Sequence, residues 1–186
     1  MNLDELIYTS KNQLSKDFCH HCIEKFEQNK EYQVQGITYN GDDFDMKRST
    51  DMCISDFEIW KEEDDTFLKS LSDNLEYYKF RFVPSSFQKH VMNGSPIDTG
   101  YQLQRTKPKE FYHWHHDQMD GRLLTFIWYL NDIKEDGYTE FITGLKIQPE
   151  CGKILIFPAL WPWVHRGFRP KSETKYICTG WIEDDH

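Results

Sequence analysis

From residue 101 onward the chain breaks into short strand-like runs: "YQLQR", "FYHWHH", "RLLTFIWYLN", "LKIQP", "KILIFPA", "WVHRGF" and "KYICTGWI". Gly, Pro, Asn and Asp separate them. Short strands in succession with turn residues between them predict a sandwich or barrel. The first hundred residues differ. "SKDFCHHCIEKFEQ" places Phe18, Cys22, Ile23 and Phe26 on one helical face, with Ser15 as N-cap. "DDTFLKSLSDNLEYYKF" places Phe67, Leu68, Leu71, Leu75 and Tyr78 at helical spacing behind capping acids. "EYQVQGITYNGDDFDMKRST" reads as a strand, an Asn-Gly turn and a return, and "NGSPIDTG" at 93–100 as a long turn. Helices followed by a β core predict an α+β chain built on a jelly roll, with the helices packed outside it. A chain of 186 residues fits one domain, 1–186, with 1–100 as helix-and-strand support and 101–186 as the core.

Composition excludes some functions. Lys plus Arg is 22 and Asp plus Glu is 31, a net charge of -9, which argues against non-specific nucleic-acid binding. No apolar run approaches the roughly 18 residues of a membrane span. The acidic N-terminus "MNLDELIYTSKNQ" lacks the apolar region of a signal peptide. Five cysteines at irregular spacing do not make a disulfide framework. A reducing cytoplasm is the expected compartment.

Two stretches look like metal ligands. "CHHC", residues 19–22, offers a Cys-x-x-Cys pair, half of a structural zinc site. No second pair follows. The helical reading accounts for it, with Cys19 and Cys22 packed as small hydrophobes and His20 and His21 turned outward. "FYHWHHDQ", 111–118, is stronger. On a strand His113, His115 and Asp117 share one face, while Tyr112, Trp114 and His116 share the other. His116 is thereby demoted. His115 and Asp117, two apart near the strand's end, can offer an imidazole and a carboxylate to one ion. His165 in "WVHRGF" is the distant third candidate; His90 precedes a turn and His186 is terminal. Two imidazoles and a carboxylate with open positions suit a non-haem Fe(II) oxygenase. Zinc accepts the same set, although its hydrolytic form often uses a helical His-Glu-x-x-His, absent here. A cupin-like pair, His113 and His115, expects a glutamate soon after, and "HDQMDGR" has none.

Lys175 adds to this. In "KYICTGW" it shares a strand face with Ile177, Thr179 and Trp181. A lysine on such a face is costly unless its charge is paired, and a bound dicarboxylate would pair it. A snorkelling lysine at the start of an exposed strand is the plainer alternative.

With these residues in view, 101–182 resembles the catalytic core of the Fe(II)- and 2-oxoglutarate-dependent dioxygenases, in the prolyl 4-hydroxylase-like branch. The resemblance runs in order through "TKPKEFYHWHHD", "RLLTFIWYLN", "GYTEF", "PECGKILIFP", "HRG" and "KYICTGW". It implies a double-stranded β-helix with Fe(II) held by His115, Asp117 and His165. It implies 2-oxoglutarate chelating iron through its 1-carboxylate and keto oxygen, and O2 as the second co-substrate, with ascorbate as a further ligand. Lys175 would pair the 5-carboxylate, with Tyr129 and Thr125 also on the co-substrate. Tyr112, Arg122 and Trp181 match substrate-facing positions. Tyr112 can reach the pocket only through a bulge or twist, since alternation opposes it to His115. His113 is left as a supporting partner or a substrate contact. The implied reaction hydroxylates a prolyl or related residue in a peptide or protein; a free amino acid or other small molecule is the alternative substrate, and a non-catalytic jelly-roll binding module the alternative class. The chain departs from the family at Thr106, where a tyrosine is usual, at Lys109, where a glycine is expected, and at Gly137-Tyr138, usually two glycines. The loop from Gly41 to Thr50, with Arg48, is either a cover for the site mouth or a solvated hairpin.

Overall fold

The computed structural model describes residues 2–38, 41, 43–83, 97–119 and 121–184. Asn40, His90, His186 and residues 93–96 of the long turn lie outside them. Helix α1 spans Lys16–Gln28, and the Ser15 hydroxyl accepts from the Phe18 amide at its start. Cys19, Cys22 and Phe26 form its buried stripe. Helix α2 spans Lys61–Phe82 and buries Phe67, Leu71, Leu75 and Tyr78; Leu68, expected on that face, is exposed. No side chain caps α2, and Glu62, Glu63 and Asp64 act instead on the positive end of its dipole. Among the described residues no helix is long and apolar enough to cross a membrane.

The strands form two antiparallel sheets, the jelly roll. The larger runs β1 (Tyr8–Ser10), β11 (Lys153–Pro158), β8 (Arg122–Tyr129), β13 (Lys175–Glu183), β6 (Gln102–Thr106), β4 (Thr50–Cys53) and β2 (Val34–Gln35), with β5 (Ile97–Asp98) on the end of β13. The smaller runs β10 (Lys146–Ile147), β9 (Thr139–Phe141), β12 (His165–Gly167), β7 (Phe111–His115) and β3 (Lys47–Arg48). The 31–50 segment is not the single hairpin its sequence suggests. β2 pairs with β4, whereas β3 leaves for the other sheet and pairs with β7. The chain crosses between sheets at Ser49.

Strand parity divides the core. On β8, Leu124, Phe126 and Trp128 face the helices, and Ile127 and Tyr129 face the space between the sheets. β11 does the same with Ile154 and Ile156 against Leu155 and Phe157. Phe67 of α2 joins the layers, with ring centroids 5.2 Å from Phe18, 5.6 Å from Tyr101 and 5.2 Å from Trp128. Each such buried ring contributes about 3 kcal/mol of apolar burial. On β13, Gly180 is required, because a Cβ there would sit 2.4 Å from the Gly100 carbonyl oxygen.

"CHHC" is spent on this packing. Cys19 and Cys22 are fully buried, and burial pushes both thiols well above their usual range. His20 is exposed, and His21 lies 2.6 Å from the buried Glu63, which also accepts from Lys25.

The turn before β7 carries strain. Glu110 N–H donates to the Lys107 carbonyl at 3.0 Å, and Lys109 has φ +77°. With Pro108 before it, this is a turn whose third residue favours glycine. Lys109→Gly is expected to stabilise the protein by about 1 kcal/mol, a rise in Tm of roughly 2–4 °C. A melting curve with an unchanged or lower midpoint would show that the turn is relaxed.

Candidate active site

β7 delivers His115 at its last residue, and Asp117 follows just beyond the strand. β12 pairs antiparallel with β7 and sets His165 directly opposite His115. The Nε2 atoms of His115 and His165 each lie 3.6 Å from a different oxygen of Asp117. Ligand atoms of the three residues lie within 4.8 Å of one another, the one such His/Cys/Asp/Glu group among the described residues. His115 Nδ1 donates to the His113 carbonyl at 2.7 Å, and His165 Nδ1 to the Trp163 carbonyl at 3.1 Å. These bonds fix the tautomer and leave both Nε2 lone pairs facing the carboxylate. Burial and the neighbouring His165 push His115 down to about 3, so its imidazole is neutral. Burial would raise Asp117, but His165, His115, the Thr125 hydroxyl and Trp181 outweigh it and hold the carboxyl below its usual range. Thr125 donates to Asp117 Oδ2 at 2.7 Å. Its contact is with the carboxylate.

The β7 ladder slips between its two pairings with β12: His115 opposes His165, but Tyr112 opposes Gly167. Three residues on β7 span two on β12, a bulge. The extra residue turns Tyr112 inward, where its ring lies parallel to that of His115 at 3.5 Å and 13°. The same bulge moves His113 off the site face. Its ring packs on Phe111, and only its carbonyl serves His115. His116 is exposed.

The cluster opens into a cleft whose wall includes Tyr112, Thr106, Thr125, Thr139, Lys175 and Trp181. Lys175 is 4% exposed and donates to the Gly137 carbonyl at 3.0 Å. Burial lowers it to about 8, and among the described residues no carboxylate compensates. A Cβ on Gly167, two residues from His165, would lie 3.7 Å from the Lys175 Nζ. A buried ammonium near a histidine–carboxylate cluster fits a small anion spanning the two. Tyr129 stands one step behind the wall: its hydroxyl pairs with Thr139 Oγ1 at 2.7 Å, and Thr139 lines the cleft. Arg122 stands outside the lining, 3.6 Å above the Trp181 ring and 3.5 Å from Glu183. Arg48 packs over Phe111, and its neighbours Lys47 and Ser49 line the cleft instead. Sequence reasoning missed those two, because a two-residue strand and the crossing residue after it show no alternation to read.

A jelly roll with two imidazoles and one carboxylate converging at its opening is a donor arrangement that suits a non-haem Fe(II) oxygenase. Residues 101–183 match the 2OG-Fe(II) oxygenase superfamily. The chain as a whole is similar in fold to prolyl hydroxylases. Among solved structures, a viral collagen prolyl hydroxylase from Paramecium Bursaria Chlorella virus-1, in its 2OG complex, is 20% identical over 97% of each chain, with a TM-score of 0.68. A Pseudomonas putida prolyl-4-hydroxylase is 14% identical over 98% of this chain and 97% of the other, with a TM-score of 0.73. A Trichoplax adhaerens prolyl hydroxylase, in complex with a hypoxia inducible factor peptide fragment, is 17% identical over 96% and 83%, with a TM-score of 0.71. Likenesses at this identity establish the fold. A comparison with curated proteins finds no match.

Proposed function

We propose that His115, Asp117 and His165 hold Fe(II), that Lys175 pairs the 5-carboxylate of 2-oxoglutarate, and that the protein hydroxylates a prolyl or related residue in a peptide or protein. The observation that carries this reading is the shared cleft: a converging His/Asp/His donor set and a buried ammonium with no counter-charge among the described residues. The donor set fits the metal, since both imidazoles present a free lone pair and the carboxylate is ionised. Bound iron supplies the oxygen chemistry in which O2, 2-oxoglutarate and a substrate C–H become succinate, CO2 and C–OH.

The chain's own residues bind, orient and exclude water. Thr125 holds Asp117, the His113 and Trp163 carbonyls hold the imidazoles, and the Tyr112 ring covers one face of His115. Thr139, backed by Tyr129, offers a hydroxyl to the co-substrate, and Trp181, with Arg122 stacked on it, forms the substrate side. Thr106 stands where the family's tyrosine would, so no phenol reaches in from β6. In this reading residues 1–186 form one domain working in a reducing cytoplasm. Neither the comparisons nor the cleft supports ascorbate as a ligand. A peptide substrate draws support from the Trichoplax neighbour, which was captured with one.

The test incubates the iron-loaded protein with 2-oxoglutarate, O2 and panels of proline-containing peptides and free amino acids. The expected result is iron-dependent succinate formation and one added oxygen on a peptide. Oxygen added only to free amino acids would make it a small-molecule hydroxylase. Absence of succinate from every panel would favour a binding module.

A further inference from the structure

We infer that Lys47 is a positioning residue for the His115 ligand, acting through the Tyr112 ring; this rests on the metal reading above. Lys47 and Asp51 form an ion pair at 2.7 Å with side chains 5% and 2% exposed. Ser49 Oγ donates to the other Asp51 oxygen at 2.8 Å. Gly36 closes over this group: a Cβ there would meet Ser49 Oγ at 2.1 Å and Asp51 Oδ2 at 2.9 Å. A buried ion pair adds little net stability over apolar residues of the same volume, so its presence in the cleft wall calls for another role.

Its outlet is Tyr112. Lys47 Nζ sits 5.2 Å from the centroid of that ring, and Lys47 is paired with Tyr112 in the β3–β7 register. The Tyr112 ring in turn lies flat on His115. The bond from His115 Nδ1 to the His113 carbonyl fixes where one edge of the imidazole points, but leaves the tilt of the ring plane free. A parallel face contact fixes that tilt. The two histidines differ here. His165 is braced by core rings, Phe157 at 4.8 Å and Phe141 at 5.8 Å. His115, at the end of its strand, has Tyr112, and Tyr112 is backed by a cation held from the crossing between the sheets.

Cobalt(II) titration of the whole protein tests this, because the visible band of the bound ion reports ligand geometry without turnover. Lys47→Met combined with Asp51→Asn leaves no orphan charge, and Tyr112→Leu removes the stack while keeping the ion pair. Both are expected to weaken Co(II) binding about tenfold, alter the band and lower kcat, with KM for 2-oxoglutarate within about twofold. Lys47→Arg is expected to restore the wild-type band. A double variant with the wild-type band and kcat but a lower Tm would reduce Lys47 to packing, and a change in KM alone would make it a co-substrate contact; either overturns the inference. A wild-type protein that gives no cobalt band refutes the metal reading itself, which keeps the two failures distinct.

Discussion

Asp117→Ala abolishes turnover and lowers metal affinity by more than about 100-fold, beyond the cost of losing a supporting residue. The reason is geometric. Asp117 is the only carboxylate in the cluster, and each of its oxygens faces a different imidazole. Alanine leaves two imidazoles with no carboxylate between them and a Thr125 hydroxyl without its acceptor, a set that holds a hard divalent ion poorly. Isothermal titration with Mn(II), alongside circular dichroism to show that the variant is folded, checks it. Wild-type affinity in a folded Asp117→Ala protein would remove this residue from the ligand set.

Lys175→Met separates stability from function. In the ligand-free protein the ammonium is buried against one carbonyl, and its pKa falls from 10.5 to about 8. That difference is a cost of about 3 kcal/mol to the folded state. The sign follows from proton binding: the unfolded chain holds the proton more tightly, so the cost is fully present below pH 8 and fades as pH rises toward 10.5. Methionine removes it, at a loss of about 1 kcal/mol for the unpaired Gly137 carbonyl. The net gain of about 2 kcal/mol raises Tm by roughly 4–8 °C at pH 7. The same substitution deletes the partner of the 5-carboxylate and weakens 2-oxoglutarate by about 100-fold or more. In the wild type, KM for 2-oxoglutarate rises above pH 8 as the free enzyme loses that proton. Scanning calorimetry at pH 7 and pH 10 and co-substrate titrations measure both halves. A lower Tm at pH 7, or unchanged 2-oxoglutarate affinity, would contradict the assignment.

Both predictions concern residues legible before any fold was known, and the reason is physical. Lys175 stands out because β13 is long enough for alternation to mark its face, with Cys178 and Ile182 in the helix-side core. His115 and Asp117 stand out by their chemistry. Parity alone misplaces their neighbours. It puts His113 with the ligands and Tyr112 opposite, and one extra residue in β7 reverses both. A bulge leaves no mark in the alternation itself. Lys47 was hidden because β3 has two residues and takes its direction from the sheet it joins, and Ser49 because it lies at the crossing between the sheets. Tyr129 lies on the inward face that its strand predicts, yet the wall itself is Thr139, contributed by another strand. The helices were readable from their stripes. Leu68 failed because the stripe of α2 narrows to Phe67, Leu71, Leu75 and Tyr78, spaced four, four and three apart.

In the proposed function one cleft holds Fe(II) on His115, Asp117 and His165 and anchors 2-oxoglutarate on Lys175. Anaerobic titration of the Fe(II)-loaded protein with 2-oxoglutarate, followed in the visible, tests it most directly. The expected result is a charge-transfer band that saturates at one co-substrate per chain, is absent in Asp117→Ala, and in Lys175→Met needs about 100-fold more 2-oxoglutarate. A wild-type protein that binds one iron yet shows no band, or a Lys175→Met band that saturates like the wild type, would contradict it.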